Sequence, residues 1–142
     1  MKIMAVDFGD ARTGLAICDK TELLASPVGV IHEKRFEHAV EKVAAAAAEN
    51  RAEAVIVGLP LNMNGSEGPR AELCRNFAEQ LSSRVNVPVR MWDERQTTVS
   101  AAGYLNQTDT RGKKRKEVID AVAAVIILDS YLQWRKNHPE EF

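Results

Sequence analysis

The chain has 142 residues, of which 45% are hydrophobic and 27% charged, and its formal net charge is −1. This length and composition predict one soluble globular domain over residues 1–142, and the near-zero charge excludes nucleic-acid binding driven by global charge alone. No apolar run is long enough to span a bilayer and no signal-peptide pattern opens the chain, so we expect a cytoplasmic protein without a membrane partner.

Three strand-like segments come first. Residues 3–6 form an apolar run typical of a strand buried on both faces, and Asp7 stands at its carboxyl end. A short connection leads to a second apolar stretch at residues 15–18, which predicts a hairpin. The third segment covers residues 22–33, where Pro27 and Gly29 favour an edge strand or a β-bulge.

Helices and strands alternate in the rest of the chain. Apolar side chains recur at helical spacing in residues 36–50 and 65–85, and residues 117–137 predict a long helix that is apolar nearly all round until Leu128. Residues 97–107 can form a further short helix, residues 52–60 have the unalternating pattern of a buried parallel strand, and residues 87–92 form a fifth strand. The order predicts an α/β fold with a mixed five-stranded sheet, three antiparallel strands and then two parallel ones. Helices cover both faces, and residues 135–142 form a loose tail.

Three carboxylates stand at the ends of elements that are otherwise apolar: Asp7 after strand one, Glu94 after strand five, and Asp120 near the start of the last helix. Ligands of such sheets bind beyond the carboxyl ends of the parallel strands. An ion pair with a nearby arginine is the simpler interpretation of each acid taken alone. A bound cation explains the three together better, and ligation by oxygen alone favours Mg²⁺ or Mn²⁺.

Four segments occur in a fixed order along the chain: "DFGDARTG", "VGLPLNMNGSEG", "DERQTT" and "IDAVAAVIIL". In this order and spacing they resemble the YqgF/RuvX family, and the resemblance covers roughly residues 2–134. It implies a ribonuclease H-like fold of the RuvC type. It also implies a nuclease for pre-16S rRNA, with Holliday junction resolution as an earlier candidate activity of the family.

The resemblance also implies roles for individual residues. The family's metal-binding triad falls on Asp7, Glu94 and Asp120, the acids that burial had already singled out. Glu117, one helical turn before Asp120, is a candidate fourth ligand, and alternatively it balances the helix dipole or the adjacent lysines. The family often has a lysine where this chain has Ala11, so one phosphate contact is expected to be missing.

A basic cluster precedes the last helix, and it consists of Arg111, Lys113, Lys114, Arg115 and Lys116. With Gly112 inside it, the segment predicts a mobile loop that clamps a phosphate backbone beside the metal ions. The alternative is a solvated run of charge. Arg12 and Arg95 are further candidates for neutralising phosphate nearer to the chemistry.

Together with the three acids, the resemblance implies a nuclease that hydrolyses phosphodiester bonds with two metal ions, in which Asp7 bridges the ions and Glu94 and Asp120 each hold one side. The expected role is 5′-end processing of pre-16S rRNA in ribosome biogenesis, with pre-rRNA or a ribosomal precursor particle as the partner. Two alternatives stay open: a Holliday junction resolvase acting on branched DNA, and a non-catalytic nucleic-acid-binding module.

Overall fold

A five-stranded sheet with helices on both faces organises the structure. The structure is a computed structural model that describes residues 1–62, 64–94 and 112–139. At residues 112–120 only the backbone is described. Its elements in chain order are β1 (Ile3–Asp7), β2 (Arg12–Cys18), β3 (Ala25–His32), α1 (Phe36–Glu49), β4 (Ala54–Leu59), α2 (Pro69–Ser82), β5 (Val89–Asp93) and α3 (Gly112–Asn137). The short helix predicted at residues 97–107 lies outside the described residues. Among the described helices, none combines the length and apolar character needed to cross a lipid bilayer.

The strand order is β3-β2-β1-β4-β5, with β2 antiparallel to β1 and β3, and β4 parallel to β1 and β5. The predicted mixed sheet is confirmed. Strands β1 and β4 lie inside the sheet, and their side chains are therefore largely buried on both faces. Strand β3 lies at an edge, and its pairing with β2 shifts register beside Gly29, whose φ of 151° suits a glycine. The predicted edge position and bulge are therefore confirmed.

Side chains alternate along the strands and divide the core into two layers. Val6 packs on one face with Val40 of α1 and Phe77 of α2. Ala5 packs on the other face with Leu128 of α3. Because the side-chain period of a strand is two residues, this alternation fixes the face on which each polar residue near a strand end lies.

The turn between β1 and β2 is tight and well packed. A Cβ atom at Gly9 would collide with the carbonyl oxygen of Arg12, so this position holds glycine for a steric reason. Just before it, the ring of Phe8 is buried and stacks on Phe77, with the ring centres 4.3 Å apart. The main chain that follows Asp7 is therefore held in place by the core.

Helix α3 starts earlier than predicted and ends at the predicted residue, Asn137. It begins at Gly112, so the backbone of residues 113–116 is helical and the prediction of a mobile loop there is wrong. Lysine and arginine are good helix formers, so the basic run extends the apolar helix that follows it. The helix continues to Asn137, so residues 135–137 do not belong to a loose tail. Its 26 residues span about 39 Å, whereas the 5 residues of β1 span about 17 Å.

The C-terminal end of α3 is tied to the turn between β2 and β3. Nε of Arg135 donates a hydrogen bond to the Glu22 carboxylate within an ion pair. Burial raises the pKa of Glu22, but hydrogen bonds from Arg135 and from the Met1 amino group lower it more, so it lies below its ordinary value. Because β2 is antiparallel to β1, this turn lies at the amino edge of the parallel strands. Helix α3 therefore runs from their carboxyl edge toward their amino edge.

Candidate active site

Asp7 and Glu94 lie at the carboxyl edge of the sheet and on the same face. Asp7 ends β1, and Glu94 follows directly after β5. Ala5, two residues before Asp7, packs toward α3, and so does Trp92, two residues before Glu94. The period of two along a strand directs both acids to the side of the sheet that α3 covers.

Gly58 of β4 makes room for the Glu94 side chain. Strand β4 lies between β1 and β5, and Gly58 is in register with Trp92. A Cβ atom at Gly58 would lie 3.0 Å from Cδ of Glu94 and 2.8 Å from Cδ1 of Ile127. The Glu94 side chain therefore lies over β4, in the direction of β1 and Asp7, with α3 beside it.

The environment of the Glu94 carboxyl group disfavours its charge. Burial raises the pKa of Glu94 above its ordinary value, Arg70 lowers it by a smaller amount, and Asp93 raises it further. Within the part of the chain that the structure describes, no hydrogen bond or ion pair reaches this carboxylate. A bound cation would stabilise the ionised form of such a group, so the residues at this edge fit a divalent metal ion.

Helix α3 brings position 120 toward this edge. Ile127 lies beside Gly58, and Asp120 comes seven residues earlier, about two turns or 10 Å along the same helical face. Given the direction of α3, these two turns lead to the edge that carries the two acids. The side chains of Asp120 and Glu117 are outside the described residues, and among the described ones no group of three or more potential metal ligands comes together. The metal-binding triad stays a prediction.

Arg70 is a charged residue at this edge that the sequence reasoning missed. It lies in the first turn of α2, where its guanidinium donates hydrogen bonds to the carbonyl oxygen of Phe8 and, over 2.6 Å, to Oδ1 of Asp10. The sequence feature that could indicate Arg70 is its place at the start of a helix that follows the loop after β4. Ligands of open α/β sheets gather at such connections.

Arg12 is the predicted phosphate-binding residue whose side chain is described. It begins β2 at the same edge of the sheet and is half-buried. It lies two residues before Gly14, the partner of Asp7 in the β1–β2 ladder, so strand alternation directs it to the face of Asp7. Residues 113–116 occupy the first turns of α3, whereas Arg95 and Arg111 lie outside the described residues, so their contacts with substrate stay predictions.

Solved structures with this arrangement of strands and helices define the class of the fold. The structure is similar to Thermus thermophilus RuvC in complex with a Holliday junction substrate, with a TM-score of 0.64, 14% sequence identity and 96% coverage of each chain. It is also similar to the Fowlpox virus resolvase in complex with Holliday junction DNA, with a TM-score of 0.54 and 15% identity over 94% of this chain and 98% of that one. The fold is thus the RuvC-like form of the ribonuclease H-like fold, as the resemblance implied.

Sequence relatives define the family more closely. The model of the RuvX family, described as Holliday junction resolvase, matches residues 1–134. A relative from Halothermothrix orenii, named "Putative pre-16S rRNA nuclease", is 45% identical over 137 residues, or 96% of this chain and 98% of its own length. A Listeria monocytogenes relative of the same name is 46% identical over 134 residues, or 93% of this chain and 97% of its own length. The chain belongs to the RuvX family. The matched relatives are named as nucleases.

Proposed function

We propose that the protein is a divalent-metal-dependent nuclease that hydrolyses phosphodiester bonds and processes the 5′ end of pre-16S rRNA. The observation that carries this proposal is the Glu94 carboxylate, which is partly buried over Gly58 at the ligand-binding edge and lies on the same face as Asp7. A partly buried acid at such an edge, with a second acid on the same face, suits a metal-assisted reaction. The names of the relatives support the RNA substrate, and the proposed partner is pre-rRNA or a ribosomal precursor particle in the cytoplasm.

Asp7, Glu94 and Asp120 would hold Mg²⁺ or Mn²⁺, with Glu117 as a candidate fourth ligand, because oxygen ligands suit these hard cations. Two such ions, when bound, can activate a water molecule and stabilise both the phosphate and the leaving oxygen. Asp7 is fixed by the central strand β1, which makes it the best candidate for a shared ligand. The contribution of Glu94 is a carboxylate already withdrawn from water and directed toward β1.

Basic residues around the acids would hold the phosphate backbone of the substrate. Arg12 lies at the same edge and on the same face as Asp7. Residues 113–116 would contact phosphates beyond this edge, since α3 extends past the short central strands, and Arg95 and Arg111 would complete the surface. Such contacts position a nucleic acid without reading its bases.

Holliday junction resolution is the second candidate function. The description of the matched family names this activity, and the RuvC structure with a similar fold contains a Holliday junction substrate. The same acids and the same metal ions would serve both reactions, because both hydrolyse a phosphodiester bond. The substrate therefore has to be decided by experiment.

The test compares a pre-16S rRNA substrate with a four-way DNA junction, each incubated with Mg²⁺, with Mn²⁺ and with excess chelator. We expect metal-dependent cleavage at the 5′ end of the rRNA, loss of cleavage in Asp7→Asn, and unchanged cleavage in the control Glu41→Gln, an exposed acid on α1. Cleavage of the junction alone would favour the second candidate. Binding of both substrates without cleavage would mean a non-catalytic module, and full cleavage in chelator would contradict the metal mechanism.

A further inference from the structure

Arg70 joins the start of α2 to the segment that follows Asp7. Pro69 and Arg70 open the helix, with Gly68 as the N-cap residue. The Arg70 guanidinium donates one hydrogen bond to the Phe8 carbonyl oxygen and a second to the Asp10 carboxylate, and its Cζ lies 5.4 Å from the centre of the Phe8 ring. Three contacts from one side chain thus fall on the turn that leads out of β1.

These three contacts differ in strength. The Asp10 side chain is 86% exposed, so its ion pair with Arg70 is screened by solvent and contributes little to stability. The Phe8 carbonyl oxygen is partly buried and belongs to the residue next to Asp7, so a charge-assisted hydrogen bond there is the stronger restraint. The buried Phe8 ring, which stacks on Phe77, holds the same residue from the other side.

The restraint acts on a metal-binding candidate and not only on the fold. Asp7 and Glu94 come from strands separated by β4, so their spacing depends on how the main chain leaves β1. The positive charge of Arg70 also lowers the pKa of Glu94, so the guanidinium that bonds to the residue after Asp7 acts electrostatically on the second acid. A residue that touches neither the substrate nor the metal ion can in this way set the geometry of the site.

We propose that Arg70 is a positioning residue that holds Asp7 at the correct spacing from Glu94 for metal binding, through its hydrogen bond to the Phe8 carbonyl oxygen. The inference rests on the proposed metal-dependent function. Arg70→Met keeps much of the side-chain bulk and removes the hydrogen bonds and the charge. Arg70→Lys keeps the charge and a single donor nitrogen but loses the two-pronged geometry of the guanidinium.

The test measures Mn²⁺ affinity directly, by electron paramagnetic resonance of the free ion, in protein without nucleic acid. We expect Arg70→Met to weaken Mn²⁺ binding by about tenfold or more, with Arg70→Lys between Arg70→Met and the wild type. Asp10→Asn removes only the exposed ion pair and should bind Mn²⁺ as the wild type does. Arg84→Met is the matched control, because Arg84 is 38% exposed, close to the 37% of Arg70, and has its own surface ion pair with Glu41.

Steady-state cleavage separates positioning from other roles. Loss of positioning should lower kcat at saturating substrate and leave KM for the nucleic acid nearly unchanged. A raised KM with normal Mn²⁺ affinity would overturn the inference, because Arg70 would then bind phosphate directly. A lower melting temperature with normal Mn²⁺ affinity in the folded protein would also overturn it. If the wild type binds no Mn²⁺, the proposed metal-dependent function fails and the inference fails with it. If the wild type binds Mn²⁺ and Arg70→Met binds it equally tightly, only the inference is refuted.

Discussion

Glu94 is held in a place where its charge is unfavourable. Its side chain lies over Gly58 and beside Ile127, and burial raises its pKa. A metal-free protein therefore carries a local destabilisation at the residue with the clearest geometry for metal binding. Sites under functional demand often carry such a destabilisation, which a substitution can remove at the expense of activity.

Glu94→Gln is expected to stabilise the metal-free protein at neutral pH. The pKa of Glu94 is higher in the folded than in the unfolded state. The stability of the wild type therefore falls as pH rises from the unfolded-state pKa toward the folded-state pKa, and this loss of stability is complete above the folded-state pKa. Glutamine removes this penalty and keeps the shape. Urea unfolding from about pH 4 to pH 8 measures the difference, which should increase with pH.

The exposed control Glu79→Gln should change little over the same range. Addition of Mg²⁺ should stabilise the wild type more than Glu94→Gln. A Gln variant that is less stable than wild type at neutral pH without metal would instead indicate a structural ion pair.

Gly58→Ala is expected to lower kcat by at least about tenfold while changing stability modestly. The new Cβ atom would lie 3.0 Å from Cδ of Glu94 and 2.8 Å from Cδ1 of Ile127, so both side chains must move. Each can move, because both are side-chain ends, but the carboxylate then leaves its position. Cleavage kinetics at saturating Mg²⁺ and urea unfolding together measure the two effects.

Two further variants test this steric explanation. Gly58→Ala combined with Ile127→Val removes one of the two close contacts and should recover stability without recovering kcat. Gly68→Ala is the control, because the atoms nearest to its Cβ would be 3.9 Å away in Asn62. Normal kcat in Gly58→Ala would mean that the position of Glu94 is not important for cleavage.

Helix α3 is the element that connects the two ends of the fold. Its C-terminal half packs on the sheet through residues such as Leu128 and Tyr131, and Arg135 joins it to the β2–β3 turn. Its N-terminal turns, which contain the basic residues 113–116 and residue 120, lie toward the carboxyl edge. Anchoring at the amino edge therefore helps to fix the helix whose other end is proposed to serve the site.

Arg135→Met is expected to destabilise the protein at neutral pH by an amount on the order of 1 kcal/mol, because it removes a partly buried hydrogen bond to a charged group. The pKa of Glu22 is lowered in the folded state, so the contribution of this pair is present above the unfolded pKa and is lost as pH falls through the folded pKa. Urea unfolding should show the variant and the wild type converging at acid pH. The exposed neighbour variant Lys136→Met should show no such convergence, and a pH-independent difference in Arg135→Met would contradict the electrostatic explanation.

The candidate site and the anchor of α3 lie at opposite edges of the sheet. The carboxyl edge carries the two acids, Arg12, Arg70 and the helical segment 113–116, whereas the anchor of α3 lies at the amino edge. The net charge of −1 gives no overall attraction for nucleic acid, so this edge would have to provide it locally.

Replacement of residues 113–116 with alanine is expected to reduce the salt dependence of nucleic-acid binding. Each lost phosphate contact should lower the slope of log affinity against log salt by roughly 0.7 to 0.9, so the slope should change by about three. Binding is measured with Ca²⁺ present across a salt series. Affinity should fall similarly for unrelated sequences, because phosphate contacts do not read bases.

The matched control removes four positive charges from the amino edge, at Lys2, Lys20, Arg51 and Lys136. It should keep a slope close to that of the wild type. Equal changes in the two variants would mean that net charge alone acts, and an unchanged slope in the first variant would mean that the basic segment is only solvated.

Much of this architecture could be predicted because it is local. An unbroken apolar run with an acid at its end predicts both β1 and the place of Asp7, and a strand-like segment that ends in carboxylates predicts β5 and the place of Glu94. The order of the elements predicted the sheet, because short connections favour antiparallel neighbours and helical crossovers favour parallel ones. For Asp120 the sequence predicts a helix, and the structure describes its backbone.

Other features depend on contacts between distant parts of the chain and could not be predicted. Arg70 reaches Phe8 across 62 residues of sequence, and no local pattern encodes that pair. Gly58 looks like any strand glycine until β5 brings Glu94 above it. Gly112 suggests a break and so predicts a loop for the basic run, whereas the helical preference of the following residues extends α3 to that glycine.

Gly9 suggests how to recognise members of this fold that have lost their chemistry. The carbonyl oxygen of Arg12 leaves no room for a side chain at this position, and this constraint of the hairpin does not involve catalysis. The Asp7 carboxylate, in contrast, is tied to the proposed reaction. A descendant that kept the hairpin but gave up cleavage would be free to lose the acid and would still need the glycine. Genes that encode the glycine but lack an acid two positions before it would then be the place to look for binding proteins derived from an ancestral nuclease.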